Sequence, residues 1–402
     1  MLTEKEALER VLAAIQLGPA VELALLPALG RYVASDLLAT VPIPGFDNSM
    51  MDGYALHAAD SSSDSPLQVT GEQPAGVDRQ LHCQLGTALR IFTGAPMPSG
   101  ADAVIMQEDV QRDGQRDGQS IRCREPVGVG ENIRRLGADL CRGQIMLRRG
   151  DVITPGRIGL IASQGSVTIP VHATPRVAVL STGDELIPVG REDIQLGQIF
   201  NSNGPMLQGL ITQLGILQSQ ALHCNDDLLA TASMLRELIQ TQDIILLSGG
   251  VSVGDHDQIK PALLQLGITP DLWRVKVKPG KPFLFAQTTR ATDGRPVYIF
   301  GLPGNPVSSF VTFQLFVRPA LLRWMGAVDV AAPQMSVRVA TDFTNTGDRP
   351  HYLRGCVQEG VFRLQGMQQS HALFALSQAN ALLRLAEGQT IRAGDWATVL
   401  TL

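Results

Sequence analysis

The run DIILLSGGVSVGDHD at 243–257 carries a dense set of residues fit for chemistry. Apolar residues from Ile244 to Leu247 end at Ser248-Gly249-Gly250. A second glycine turn at Gly254 then brings in Asp255 and Asp257. An apolar run closed by glycines reads as a buried strand that delivers a loop to one edge of a sheet. Glycine lets the backbone approach a ligand closely, with its N–H groups free to hold an anion. The aspartates add hard oxygen donors, the set expected for a phosphate held together with a divalent cation.

Other fingerprints compete for the same residues. Residues 250–254, G-V-S-V-G, spell a nucleophile elbow with Ser252 as nucleophile. A hydrolase of that type needs an acid and then a histidine downstream. Only His256, beside the loop, and the distant His351 and His371 follow. A turn serving only chain reversal is the stronger competitor, weakened by what else gathers at the same edge. The G-V-G at 128–130 lacks the closing glycine of a dinucleotide loop. Gly280-Lys281 is followed by Pro282 where a P-loop needs Ser or Thr. A kinase or a dehydrogenase is disfavoured.

The elements that must position this chemistry lie in 171–326, where strands and helices alternate. Strands read at 176–181, 243–248, 273–277, 283–286 and 297–300, and helices near 203–214, 227–240, 258–266 and 306–324. Asn201, Ser202 and Asp226 are candidate helix caps. Fully apolar strands alternating with helices imply a mostly parallel, doubly wound sheet, whose ligands bind beyond the carboxyl ends of the strands. Several strands there lead into polar segments: Ser181-Thr182-Gly183-Asp184-Glu185, Asp226-Asp227, Lys278-Pro279-Gly280-Lys281-Pro282 and GLPGNPVSS (301–309). Alternation puts Arg274, Lys276 and Lys278 on one side of their strand. Carboxylates at one corner and lysines at another suit a phosphoanhydride bridged by Mg²⁺. Asp226 reads equally as a helix cap, Asp227 and Asp255 as solvated loop residues, and Lys276 as a snorkelling side chain. Lys278 and Lys281 sit in a loop constrained by two prolines and a glycine.

The remainder of the 402 residues brackets this region. Residues 1–40 are helical in pattern, and 138–170 form a connector with a short helix begun by Thr154-Pro155 and stopped by Gly165. The two together make one discontinuous helical domain. Residues 41–137 form a small β-rich domain in which QRDGQRDG (111–118) reads as a hairpin tip. Residues 171–326 are the α/β domain, and 327–402 a C-terminal β-barrel or sandwich. A formal charge of -5 without a basic tail gives no reason to expect nucleic acid or an anionic membrane. No apolar run approaches a membrane span, and the start of the chain lacks the order of a signal peptide, so a cytoplasmic protein is expected. Five scattered cysteines read as reduced thiols.

Seven segments in order resemble one family. They are FDNSMMDGYAL (46–56), RIFTGAPMPSGADAVI (90–105), GENIRRLGADL (130–140), STGDEL (181–186), SGGVSVGDHD (248–257), KPGKPF (278–283) and GLPGNPVSS (301–309). Together they are similar to the molybdopterin molybdenumtransferases, relatives of the E domain of gephyrin. The resemblance implies an elongated homodimer of four-domain subunits, with an active site shared between the α/β domain of one subunit and the small β domain of the other. It implies that adenylylated molybdopterin takes up molybdate and AMP leaves with Mg²⁺ assistance. Carried over position by position, Asp52, Thr93, Lys278 and Lys281 become the catalytic set. Ser248, Gly249, Gly250, Ser252, Pro282, Ser308, Arg349 and Ser370 become the substrate-binding set, and Glu185, Asp226 and Asp257 the metal ligands. The family's R-P-E-F here reads Arg349-Pro350-His351-Tyr352, which removes an orienting partner for the arginine.

Two other functions fit parts of this pattern. A molybdopterin adenylyltransferase shares the sheet domain and the glycine loop, but the extra domains with MDGYA and FTGAP argue for insertion. A non-catalytic scaffold is opposed by the intact Asp52, Asp257, Lys278 and Lys281. An adenylyltransferase or another protein of the cofactor pathway is a possible partner.

Overall fold

The structure, a computed structural model, describes residues 1–113, 120–250 and 258–402. The chain divides into two compact units. One comprises Met1–Ser35, Arg149–Gly159 and Val167–Leu402; the other comprises Asp36–Arg148 and Leu160–Ser166.

The first unit is built on a six-stranded sheet. Its order is Ser219–Cys224, Val177–Thr182, Ile244–Ser248, Pro296–Leu302, Leu284–Thr289 and Leu272–Trp273. The first four strands run parallel, Leu284–Thr289 pairs antiparallel with Pro296–Leu302, and Leu272–Trp273 pairs antiparallel with Leu284–Thr289. The turn at 290–295 is too short for a crossover helix, so the chain can only return alongside itself. Alternation along each central strand divides the core in two. Val177, Val179, Ile244 and Leu246 pack with Leu207 and Ile211 of helix Asn203–Gln213 and with Val307 and Val311 of helix Pro306–Thr312. Ala178, Leu180, Ile245 and Leu247 face Leu235 and Leu238 of helix Leu228–Thr241 and Ile259 and Leu263 of helix Ile259–Gln265. Both faces are covered, as uniformly apolar strands require.

Three local expectations are corrected. The strand expected over 273–277 pairs only at Leu272–Trp273, because Arg274 adopts a φ of +79° that turns the chain out of the ladder. Burial still alternates beyond it: Val275 and Val277 are buried while Arg274 and Lys278 are exposed. The cap of helix Leu228–Thr241 is Asp227, which accepts from the Ala230 N–H at 2.7 Å, and not Asp226. The helix expected over 306–324 runs through a π-helical segment, Phe313–Val317, and then Arg318–Trp324.

The same unit contains a closed five-stranded barrel with the order Gln334–Val339, Val361–Leu364, His351–Gln358, Ala381–Leu385 and Trp396–Thr401. Just before the last of these strands, a turn in which the Asp395 N–H donates to the Arg392 carbonyl separates it from the short strand Thr390–Ile391. Strand Ala20–Ala24 pairs antiparallel with Thr168–His172, which ties the N-terminal segment to a distant part of the sequence. In the second unit a six-stranded sheet runs Ala103–Met106, Gly53–Leu56, Thr87–Ile91, Leu67–Gln73, Ser120–Cys123 and Val110–Asp113. The last two strands are the arms of the expected hairpin, and residues 114–119 of its tip lie outside the described residues. Among the described residues no helix is long and apolar enough to cross a membrane.

The start of the central strand is held by charge. Arg290, 2% exposed, donates to Asp243 at 2.6 Å, and Arg176 grips the same carboxylate from the side chain and from its backbone N–H. Burial opposes ionisation of Asp243, but the bonds from Arg176 and Arg290 outweigh it and hold the carboxyl below the usual carboxylate range. A depressed folded-state pKa gives stability that is present above about pH 4 and is lost as pH falls through the folded value. Asp243→Ala, which leaves Arg290 with Asp293 as its remaining carboxylate partner, is expected to cost about 2–3 kcal/mol in chemical denaturation at pH 7. The deficit should shrink below pH 4, where wild type loses the same contribution.

Candidate active site

Parallel register aligns the strand ends. Ser181 pairs with Ser248, Thr182 with Cys224, and Ser248 with Leu302. Past these ends the chain turns over a cavity of about 830 Å³. Gly249 has φ +95°, and a Cβ there would meet the Thr182 carbonyl oxygen at 2.5 Å. Gly250, at φ +59°, backs onto the Thr182 hydroxyl and Ile259. Only glycine permits this turn so close to the neighbouring strand.

The expected residues at this edge are placed as follows. Glu185, Asp226, Ser248, Gly249, Gly250, Pro282 and Ser308 all line the cavity. Ser248 and Ser308 are buried, Glu185 is exposed and Asp226 is partly exposed. The Asp226 backbone N–H donates to Asp184 at 3.0 Å, which ties the two acidic loops together. Ser252 and Asp257, with Asp255, lie outside the described residues.

The cationic residues gather beside the barrel. The Lys278 N–H donates to the Pro350 carbonyl at 2.8 Å, the Tyr352 N–H donates back to the Lys278 carbonyl at 2.8 Å, and Arg349 Nη1 reaches the Val277 carbonyl at 3.4 Å. Arg349 also pairs with the neighbouring Asp348 at 3.3 Å. The Ser370 carbonyl accepts from the Val307 N–H at 3.1 Å, which sets Ser370 at the start of the helix that carries Ser308. Lys281 is exposed, and its carbonyl accepts from Val275 at 3.1 Å. His351 lies within this group. Burial first, then the charges of Lys278, Arg354 and Arg349, push its imidazole down to about 4.

Asp52 and Thr93 lie in the second unit and meet each other there. Asp52 Oδ1 accepts from the Thr93 N–H at 2.8 Å and from its hydroxyl at 2.9 Å. These bonds, the backbone one first, hold the Asp52 carboxyl below its ordinary range.

The sequence reading passed over several cavity residues. Asn203, read only as part of a helix start, donates its amide to Ser248 Oγ at 2.9 Å and to the Gly304 carbonyl at 2.7 Å. Phe200 and His371 also line the cavity. Asparagines at 201, 203 and 305 flanking the glycine turns were the available signal. A larger cavity of about 1070 Å³, lined by Leu315, Tyr352, Arg384 and Trp396 among others, holds none of the expected site residues. Chemistry therefore points to the smaller one.

Carboxylates, a glycine turn and hydroxyls at the end of a parallel sheet can together hold a phosphorylated ligand with a hard cation. Comparison with known proteins identifies the family. Residues 2–165 match the MoeA N-terminal region (domain I and II), 178–323 a probable molybdopterin binding domain, and 336–402 the MoeA C-terminal region (domain IV). The chain is 33% identical to a molybdopterin molybdenumtransferase of Staphylococcus aureus (strain MRSA252), covering 98% of this chain and 94% of that one. It is 34% identical to the enzyme of that name in Haemophilus influenzae, covering 99% and 98%. The fold matches the crystal structure of the molybdopterin biosynthesis moeA protein from Pyrococcus horikoshii OT3, with a TM-score of 0.85 and 28% identity over the whole of both chains. With relatives aligned from end to end and all three regions present in order, the chain belongs to the molybdopterin molybdenumtransferase family.

Proposed function

We propose that this protein inserts molybdate into adenylylated molybdopterin and releases AMP in a Mg²⁺-dependent reaction. The observation that carries the reading is the cavity at the sheet edge. There Gly249 and Gly250 open the backbone to an anion, and Glu185 and Asp226 face the same space. Mg²⁺ usually takes one or two carboxylates together with phosphate oxygens, so Glu185 and Asp226 fit it. Among the described residues no cluster of three or more ligating side chains replaces them. Bound there, the ion would neutralise phosphate charge.

Molybdate is a tetrahedral dianion and needs cations and hydroxyl donors. Lys278, Lys281, Ser308, Arg349 and Ser370 are the proposed set, joined by the contacts of 277–278 with 349–352 and of Ser370 with Val307. With its pKa near 4, His351 is neutral at pH 7 and adds no charge to this corner. We further propose a homodimer as the working unit, in which Asp52 and Thr93 make the second contribution to the reaction.

Purified protein given adenylylated molybdopterin and Mg²⁺ should release AMP only when molybdate is present, with the metal retained on the pterin. Pyrophosphate release from ATP and molybdopterin at a catalytic rate would instead assign the preceding adenylyl transfer. Lys281→Ala should lower molybdate-dependent AMP release by about 100-fold, the scale of losing one charge-stabilising group, without changing the thermal midpoint. Gly249→Ala should abolish binding of the adenylylated substrate through the clash with Thr182, as read by calorimetric titration. Because the folded-state pKa of His351 is lowered, the unfolded chain takes up the proton first, and stability falls as pH drops from about 6.5 to 4. His351→Gln should therefore flatten the acid side of the stability profile by about 1–3 kcal/mol in denaturant titrations at pH 4.5 and 7.

A further inference from the structure

Arg354, on barrel strand His351–Gln358, is 0% exposed. Among the described residues no carboxylate pairs with it, and its Nε and Nη1 have no hydrogen-bond partner. Its Nη2 donates to the carbonyls of Met367 at 2.6 Å and Gln369 at 3.1 Å. Gln368, between those two, closes the clasp from the other side. Its Oε1 accepts from the Arg354 N–H at 2.9 Å, and its Nε2 donates to the Arg354 carbonyl at 3.0 Å. The segment held in this way runs directly into Ser370, whose carbonyl accepts from the Val307 N–H, and His371, which lines the cavity. The same strand holds Lys278 through Tyr352, and the charge of Arg354 is felt at His351 beside those of Lys278 and Arg349.

We propose that Arg354 is a positioning residue for molybdate binding: it latches segment 367–369 to the barrel strand and thereby sets Ser370 in place relative to Lys278. This rests on molybdate being the oxyanion bound at that corner. A buried guanidinium without a carboxylate costs stability, and an apolar side chain of similar length would fill the space without that cost. The charge is kept for what it holds, the two carbonyls on either side of Gln368. Hooks on alternate residues, with Gln368 hooked in return, fix the segment against sliding along the strand. One strand then carries both halves of the oxyanion set, Lys278 through its backbone and Ser370 through the Arg354 clasp. Arg354 touches no substrate and acts only through the segment it holds.

The test is steady-state AMP release by wild type, Arg354→Met and Gln368→Ala. Molybdate is varied at saturating adenylylated molybdopterin, and then the reverse. Arg354→Met keeps an unbranched side chain in the barrel and removes the donors. The KM for molybdate should rise about tenfold in Arg354→Met and about threefold in Gln368→Ala, while the KM for adenylylated molybdopterin changes by less than about twofold. Gln368 is partly exposed, so its variant leaves the barrel core intact. If circular dichroism shows Arg354→Met unfolded, the rise in Gln368→Ala decides the matter alone. A lowered thermal midpoint with both KM values at wild type would assign a purely structural role and overturn the proposal. Equal rises in both KM values would assign the segment to the pterin and overturn it as well. Absence of molybdate-dependent AMP release in wild type would overturn the functional reading itself, and the latch with it.

Discussion

The site depends on how closely the turn after strand Ile244–Ser248 lies against the end of strand Val177–Thr182. The two strands run parallel and in register, so their polar ends arrive at the same level. Gly249 then turns with its Cα facing the Thr182 carbonyl, where a side chain has no room. This constraint brings Ser248, Thr182 and the following loops around one space. The charged anchor at the other end of the central strand, Asp243 with Arg176 and Arg290, holds the same strand from below. Between the two lie residues buried on both faces, so the strand end has little freedom to move.

Charge is sorted around this edge. Glu185 and Asp226 line the cavity, whereas Lys278 and Arg349 meet next to the barrel through contacts of 277–278 with 349–352. Opposite charges held apart in this way can serve different parts of one polyanionic substrate without neutralising each other. The barrel reaches this corner as well: Tyr352 of its strand His351–Gln358, with Pro350 just before it, holds the backbone of Lys278. Burial of His351 in the same place keeps a titratable group from altering that field near neutral pH.

Much of this was legible in the sequence where local pattern and tertiary demand agree. Strands 177–182, 244–248 and 296–302 were visible as uninterrupted apolar runs because both of their faces are covered. Gly249 and Gly250 stood out as the turn that closes one of them. What stayed hidden depends on distant partners. Nothing local marks Arg274 as a residue with positive φ, so a strand was expected where the chain bends. The cap of helix Leu228–Thr241 was displaced by one position, since Asp226 and Asp227 have the same capping chemistry and only the geometry of the turn chooses between them. The meeting of Lys278 with 350–352 spans more than seventy residues and has no periodic signature. Asn203 was read through its helix-start position, and its buried amide became apparent only once Gly304 and Ser248 were seen beside it.

The central claim is that the smaller cavity at the sheet edge, and not the larger one beside Arg384 and Trp396, is where the chemistry occurs. A crystal structure of the protein soaked with adenylylated molybdopterin tests this most directly. The account predicts ligand density over Gly249 and Gly250, with the phosphates toward Glu185 and Asp226. Density confined to the larger cavity, with the sheet edge empty, would contradict it.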